Sequence, residues 1–261
     1  DRVAACQSGT AAIHLSLIDA GVGADDVVIV PTLTFIAAVN PVGYLGAEPV
    51  FMDCDDSLCM DPVKLQMFCE KECVYADGIL RYHDKRVKAI VVVHVFGNMA
   101  DMEAIMEIAG QYGLTVVEDA TEALGTYYEK GKYAGKYAGT IGDYGAFSFN
   151  GNKIITTGGG GAVTAREKER VEHMRYLSTQ AKDNPQYYIH NEVGYNYRMS
   201  NIIAGVVRGQ IPFLETHIAQ KRAIYERYKE GLKDLPVKMN PYDVENSVPN
   251  FWLSCLTVDS D

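Results

Sequence analysis

The sequence predicts an α/β layered protein with a mainly parallel central sheet covered by helices. Three observations carry that prediction. Short β-branched apolar runs recur through the first two thirds of the chain, and they are apolar throughout rather than alternating. Helical stretches lie between them, each with a polar start and a glycine at its end. A strand with no polar face has nothing to show to water, so a sheet made of such strands is covered on both sides.

The elements follow in order. Apolar runs at 27–30, 49–52, 89–93 and 114–117 read as strands. Residues 10–20 read as a helix ended by Gly21, and residues 101–112 as a helix ended by Gly113. Residues 71–85 are polar and irregular and read as a surface excursion. After Asn201 the pattern is mostly helical, with Pro212 starting or kinking a longer helix that carries Ile218, Ile224, Tyr225, Tyr228 and Leu232. A loop with Pro236, Pro241 and Pro249 follows, and then residues 251–258 read as a strand. A strand that opens a domain so near Asp261 predicts a chain cut short. Residues 1–235 are expected to form a large domain with its interdomain helices, and 236–261 the start of a truncated small C-terminal domain.

Composition narrows the function classes. At 261 residues and 48% hydrophobic content, a chain buries roughly three quarters of its unfolded surface and needs no disulfide or metal for stability. A charge of −10, from 34 acidic and 24 basic residues, repels a phosphate backbone, so nucleic acid is not an expected partner. No apolar run approaches the roughly 20 residues of a membrane span, and the start Asp1-Arg2-Val3-Ala4 carries no signal-peptide pattern. Cys6 and Cys54 lie in apolar segments, which suits reduced thiols and a cytoplasmic protein. Cys69 and Cys73, with His83 nearby, lack a second pair at ligand spacing, so no metal is expected.

Four pieces carry chemistry. Ser8-Gly9-Thr10-Ala11-Ala12 is a small-residue turn opening a helix, where free amides and the helix dipole suit a phosphate; the alternative is an ordinary cap. Val116 to Glu122 runs an apolar strand into carboxylates, and in a covered sheet the C-terminal strand ends are where ligands bind. Such a carboxylate can pair with a protonated ring nitrogen or cap the next helix. Gly145 to Lys153 is followed by Ile154, Ile155, two threonines and the glycines 158–161. A lysine with its ordinary pKa of about 10.4 becomes nucleophilic near neutral pH only when desolvated or set near positive charge. Phe147, Phe149, Ile154 and Ile155 make this loop too apolar for an exposed hairpin. In Gly194-Tyr195-Asn196-Tyr197-Arg198-Met199-Ser200, an Asn sits among aromatics just before a helix, as a cap or a ligand donor.

Together the pieces resemble the sugar aminotransferases of the DegT/StrS group. The resemblance spans the chain: SGTAAIHL, PTLTFIA, GAEPVFMD, HVFGNMADM, VVEDATEALG, FSFNGNKIITTGGGGAV, GYNYRMSN and NFWLSCLTVD occur in family order. It implies a fold-type-I pyridoxal-phosphate-dependent transferase that moves an amino group, from an amino acid such as glutamate, to a sugar nucleotide. FSFNGNKIITTGGGG and LSTQAKDNPQYYIHNEVGYNYRMSN resemble the members acting on UDP-linked 4-keto-6-deoxy sugars, as does Gly159 where many relatives have Glu. The resemblance assigns Lys153 as the lysine that holds the cofactor and shuttles the proton, and Asp119 as the partner of the ring nitrogen. It puts Glu122 by the ring hydroxyl, Phe35 on the ring face, and Gly9, Thr10 and Ser148 on the phosphate. Asn196 would reach that phosphate from a neighbouring subunit, implying a homodimer with shared active sites. Three other readings compete: a sugar dehydratase, which shares this fold but has His where this chain has Lys153; a cofactor-binding regulator without turnover; and a generic α/β binding domain, which would need neither Lys153 nor the turn at 158–161.

Overall fold

A computed structural model describes residues 2–184, 186–242 and 245–258. The elements are β1 Val3–Cys6, α1 Gly9–Asp19, β2 Asp26–Pro31, α2 Asn40–Tyr44, β3 Glu48–Met52, α3 Pro62–Lys71, β4 Cys73–Ala76, β5 Ile79–Tyr82, β6 Lys85–Val93, α4 Met102–Tyr112 and β7 Thr115–Asp119. They continue with β8 Tyr127–Tyr128, β9 Tyr144–Ser148, β10 Gly161–Ala165, α5 Lys168–Ser178, α6 Asn201–Gln210, α7 Leu214–Gly231, β11 Val237–Met239, β12 Ser247–Val248 and β13 Leu256–Val258.

The sheet runs β1-β10-β9-β7-β6-β2-β3. Its centre, β9-β7-β6-β2-β3, pairs in parallel, and β10 runs antiparallel between β9 and β1. The four apolar runs expected as strands are β2, β3, β6 and β7. Val27 to Val30 and Ala89 to Val92 have no exposed surface, as strands covered on both faces require. Both early helices form where expected. Ser8 caps α1 through Ala11 N–H, while Asp101 caps α4, which ends on the left-handed Gly113.

Two expectations are corrected. Residues 71–85 are a β-hairpin, not an irregular excursion: β4 and β5 pair antiparallel, and β5 pairs with β6 at the sheet edge. The turn is Asp77-Gly78, with φ of 52° and 75°, the two-residue geometry that matches strand twist. Residues 251–258 are not one strand. Only Leu256–Val258 pairs, with β11, whereas residues 250–253 pack back onto the large sheet's loops, with Phe251 at φ 55°. Residues 259–261, the tail of the expected small-domain segment, lie outside the described residues.

All six cysteines are free. Cys6 is buried and its thiol is pushed up to about 12 by desolvation, whereas Cys54 is only half-buried. Among the described residues no helix is long and apolar enough to cross a membrane.

Candidate active site

Strand ends from distant parts of the sequence meet at one edge of the sheet. Because β10 opposes both β1 and β9, the C-terminal ends of β1 and β9 lie together. Cys6 pairs with Gly161, which pairs with Ser148. Asp119, the last residue of β7, pairs with Ala146, two residues before Ser148. This is the edge where ligands bind in parallel sheets.

From β1 the chain turns straight into α1. Ser8 is extended, at φ −166°, and its Oγ accepts the Ala11 N–H at 3.1 Å. The N–H groups of Gly9 and Thr10 stay outside the helical ladder at the positive end of the helix dipole. Gly9 is required there by contact: a Cβ would meet Thr121 Cγ2 at 2.7 Å and Ser148 Cβ at 3.0 Å.

Asp119 is 5% exposed and its Oδ1 accepts the Thr121 N–H at 3.0 Å. Residues 120–126 then form turns rather than a helix, so Asp119 is no helix cap. Burial pushes its carboxyl up, opposed by the hydrogen bonds from Thr121 and the charge of Lys153. Glu122 Oε2 accepts the Phe96 N–H at 2.7 Å, and Oε1 lies 3.8 Å from Lys153 Nζ. Its carboxyl is also raised, by burial first.

Lys153 sits in the connection between β9 and β10, whose apolar flanks Phe149, Ile154 and Ile155 are buried. Burial lowers its proton affinity, and Glu122 and Asp119 oppose that shift. The amine is thus closer to its neutral, nucleophilic form at neutral pH than an ordinary lysine.

Gly9, Thr10, Phe35, Asp119, Glu122, Ser148 and Lys153 all line one cleft of about 290 Å³. Phe35 stands at 71% exposure. Asn196 does not join them. It is exposed and bridges to Thr179, while Tyr195 and Tyr197 stack on each other at 5.0 Å and pack against His14.

Sequence reasoning missed Thr121 and Asn152, and above all Trp252, whose ring lies 4.3 Å from Lys153 Nζ. Trp252 is the only tryptophan in the chain, but its place in an apolar run gives no sign of a partner so far upstream. Also missed was the support behind the site. Buried Glu118 accepts hydrogen bonds from His94 Nε2 at 2.9 Å and from the backbone of Gly139, Ile141 and Gly142. His94 Nδ1 accepts the Ala100 N–H.

Comparison with known proteins agrees with this architecture. The sequence profile of the DegT/DnrJ/EryC1/StrS aminotransferase family matches residues 1–261. The chain is 41% identical over 259 residues to EpsN of Bacillus subtilis strain 168, a proposed pyridoxal phosphate-dependent aminotransferase, covering 98% of this chain and 63% of that protein. It is 40% identical over 251 residues to GDP-perosamine synthase of Caulobacter vibrioides, covering 95% of this chain and 62% of the relative. The crystal structure of a DegT DnrJ EryC1 StrS aminotransferase from Brucella abortus superposes with a TM-score of 0.87 at 30% identity, over 99% of this chain and 66% of that one. The chain therefore spans somewhat under two thirds of the length of these curated relatives.

Proposed function

The chain belongs to the DegT/DnrJ/EryC1/StrS aminotransferase family, and from that membership we propose that the whole protein is a pyridoxal-phosphate-dependent aminotransferase. It transfers an amino group from an amino acid, glutamate, to a 4-keto-6-deoxy sugar nucleotide for surface polysaccharide synthesis. It works in the cytoplasm as a homodimer with shared active sites, and residues 236–261 begin a small C-terminal domain. One observation carries the reading: a desolvated lysine, a buried strand-end carboxylate and a helix N-terminus line a single cleft.

The donor set fits a phosphate-bearing pyridine aldehyde. Gly9 and Thr10 offer amides at a positive helix end, and Ser148 adds a hydroxyl beside them, a combination that holds a phosphate. A protonated ring nitrogen beside Asp119 gives the buried carboxylate the counter-charge that offsets its desolvation. When bound, pyridoxal phosphate supplies an aldehyde that takes up amino groups and a ring that draws electrons from the bond being broken.

The chain's own residues supply the rest. Lys153 would be the residue that holds the cofactor and moves a proton, a task suited to an amine of depressed proton affinity. Asp119 would hold the proton on the ring nitrogen. Glu122, held by the Phe96 N–H, faces Lys153 and would lie by the ring hydroxyl. Phe35, exposed in the lining of the cleft, would offer a flat face to the ring and limit water. Asn196 serves the partner's phosphate rather than its own.

The test uses full-length protein. Borohydride should fix the cofactor to the wild type and not to Lys153→Ala, and glutamate with a panel of GDP-, UDP- and dTDP-linked 4-keto sugars should yield an amino sugar from at least one. Fixation that survives in Lys153→Ala overturns the lysine assignment, and a wild type inert across the panel overturns the substrate class.

A further inference from the structure

Part of the cleft's lining comes from a segment far along the chain. Lys153 Nζ lies 4.3 Å from the centroid of the Trp252 ring and 3.8 Å from Glu122 Oε1. The indole is not free to swing. Its Nε1–H donates to the Asn152 carbonyl at 2.8 Å, and the Trp252 N–H donates to Asn250 Oδ1 at 2.9 Å.

Asn250 is completely buried and every polar end of its side chain is used. Its Nδ2 donates to the carbonyls of Glu122 and Leu124 at 2.9 and 3.0 Å. Gly97 makes room for it: φ there is +93°, and a Cβ would fall 1.8 Å from Asn250 Oδ1. A single amide thus joins the Trp252 segment to the loop that carries Glu122. A second hydrogen bond joins the ring to the residue just before Lys153. A network this fully satisfied in a dry setting is rigid.

An ammonium taken out of water is attracted by the face of an indole, the strongest of the aromatic faces for this contact. We propose that Trp252 is a positioning residue for Lys153: its ring, fixed through Asn250 and Asn152, holds the amine beside Glu122 and at the cleft whenever that amine is not bonded to the cofactor. This rests on the assignment of Lys153 as the cofactor lysine. Each turnover frees the amine and must later return it. In turnover the returning amine, having given one proton to Glu122 or to water, would displace the product's amino group from the imine carbon and release the product as a free amine; with the free aldehyde used below, the same attack would release the aldehyde oxygen as one water. A lysine stem free to sample many rotamers makes that return slow; one parked on a rigid ring makes it fast.

The test separates the aldehyde cofactor, which bonds Lys153, from pyridoxamine phosphate, which carries an amine instead and cannot. Full-length protein freed of cofactor is mixed with each, as wild type, Trp252→Leu, Trp252→Phe, Lys153→Ala and the Lys153→Ala/Trp252→Leu double variant. Trp252→Leu should slow covalent capture of pyridoxal phosphate, read by borohydride fixation against time, by about tenfold. It should leave the dissociation constant of pyridoxamine phosphate within about twofold, because the phosphate cradle is untouched. Trp252→Phe keeps an aromatic face and should recover most of the rate. In the Lys153→Ala background, Trp252→Leu should change binding of neither form.

Capture by Trp252→Leu at the wild-type rate overturns the proposal, and so does equal weakening of both cofactor forms, which is the mark of a merely structural wall. Fixation that persists in Lys153→Ala overturns the lysine assignment instead. Tryptophan emission gives an independent reading. The share of the emission that Trp252→Phe removes belongs to Trp252, and that share should fall when pyridoxal phosphate is added to the wild type; if it is unchanged, the ring lies away from the site.

Discussion

At the end of β7 two carboxylates sit side by side, and the alternation of a strand sends them to opposite faces of the sheet. Asp119 faces the cleft, while Glu118 faces the other side and is saturated by His94 and three backbone amides. Glu118 thereby ties the end of β7 to the loop that leads into β9, and so holds the register between Asp119 and the strand carrying Ser148. The two residues look interchangeable in the sequence, and their partners separate their duties. Asp119→Asn keeps the shape but removes the charge that, on the proposed function, would keep the ring nitrogen protonated. The variant should bind the cofactor and lose turnover by about a hundredfold or more, because electron withdrawal matters most as the bond to carbon breaks. Measured kcat with cofactor occupancy followed by absorbance checks this; wild-type kcat at full occupancy would leave Asp119 with its Thr121 hydrogen bond alone.

At the scale of elements, α1 links the cleft to a polar cluster at its other end. Asp19, the last residue of α1, is bound by Tyr144 OH at 2.6 Å and by His173 Nδ1, with Arg170 at 3.6 Å. His173 Nε2 meets Glu192 at 3.0 Å, and Tyr176 stacks alongside. With a carboxylate at each ring nitrogen, His173 donates from both, which only the imidazolium can do. Burial opposes that charge, and the bonds to Asp19 and Glu192 outweigh it, so the pKa stands above the ordinary 6.5. The stabilisation is complete below the unfolded pKa and is lost as pH rises through the higher folded one. Thermal unfolding of full-length wild type and His173→Gln should therefore differ by about 2 °C near pH 6, a small value because the pair is partly solvated, and converge by about pH 9. A gap that widened with pH would mean that the neutral ring makes the contact.

For the whole molecule, the open question is what covers its apolar outer surface. Helix α6 buries none of its residues within the chain, and Ile202 is 83% exposed, with Val206, Ile211 and Phe213 also open. An exposed apolar stretch of this kind, next to an exposed Asn196, supports the proposed homodimer. In a dimer with shared sites, mixing full-length Lys153→Ala and Asn196→Ala places both defects in one site of each mixed dimer and leaves the other intact. Subunit exchange at equal amounts should recover up to about a quarter of wild-type activity, since half the dimers are mixed and each has one good site. Two variants that are inactive alone, and remain inactive after proven exchange, would return Asn196 to its own subunit.

The sequence by itself determined the local pieces. Apolar β-branched runs at 27–30 and 89–93 read as covered strands, and Ser8 and Asp101 were readable as caps, because these outcomes depend on hydrogen bonds and burial within a few residues. The motifs around Gly9, Asp119, Ser148 and Lys153 also named residues that share one cleft. The hairpin at 73–82 was within reach too, since Asp77-Gly78 is a turn signal, but its weakly alternating polar strands hid it. Only the tertiary structure decided the rest. Residues 251–258 have the pattern of a strand, yet a strand forms where a neighbouring backbone completes its ladder, and at 250–253 the backbone and side chains of the site loops offer the better partners. Periodicity records which side of a segment is apolar and is silent on what that side will meet. That Trp252 meets Lys153, and Glu118 meets His94, was settled by packing between segments that no local pattern connects.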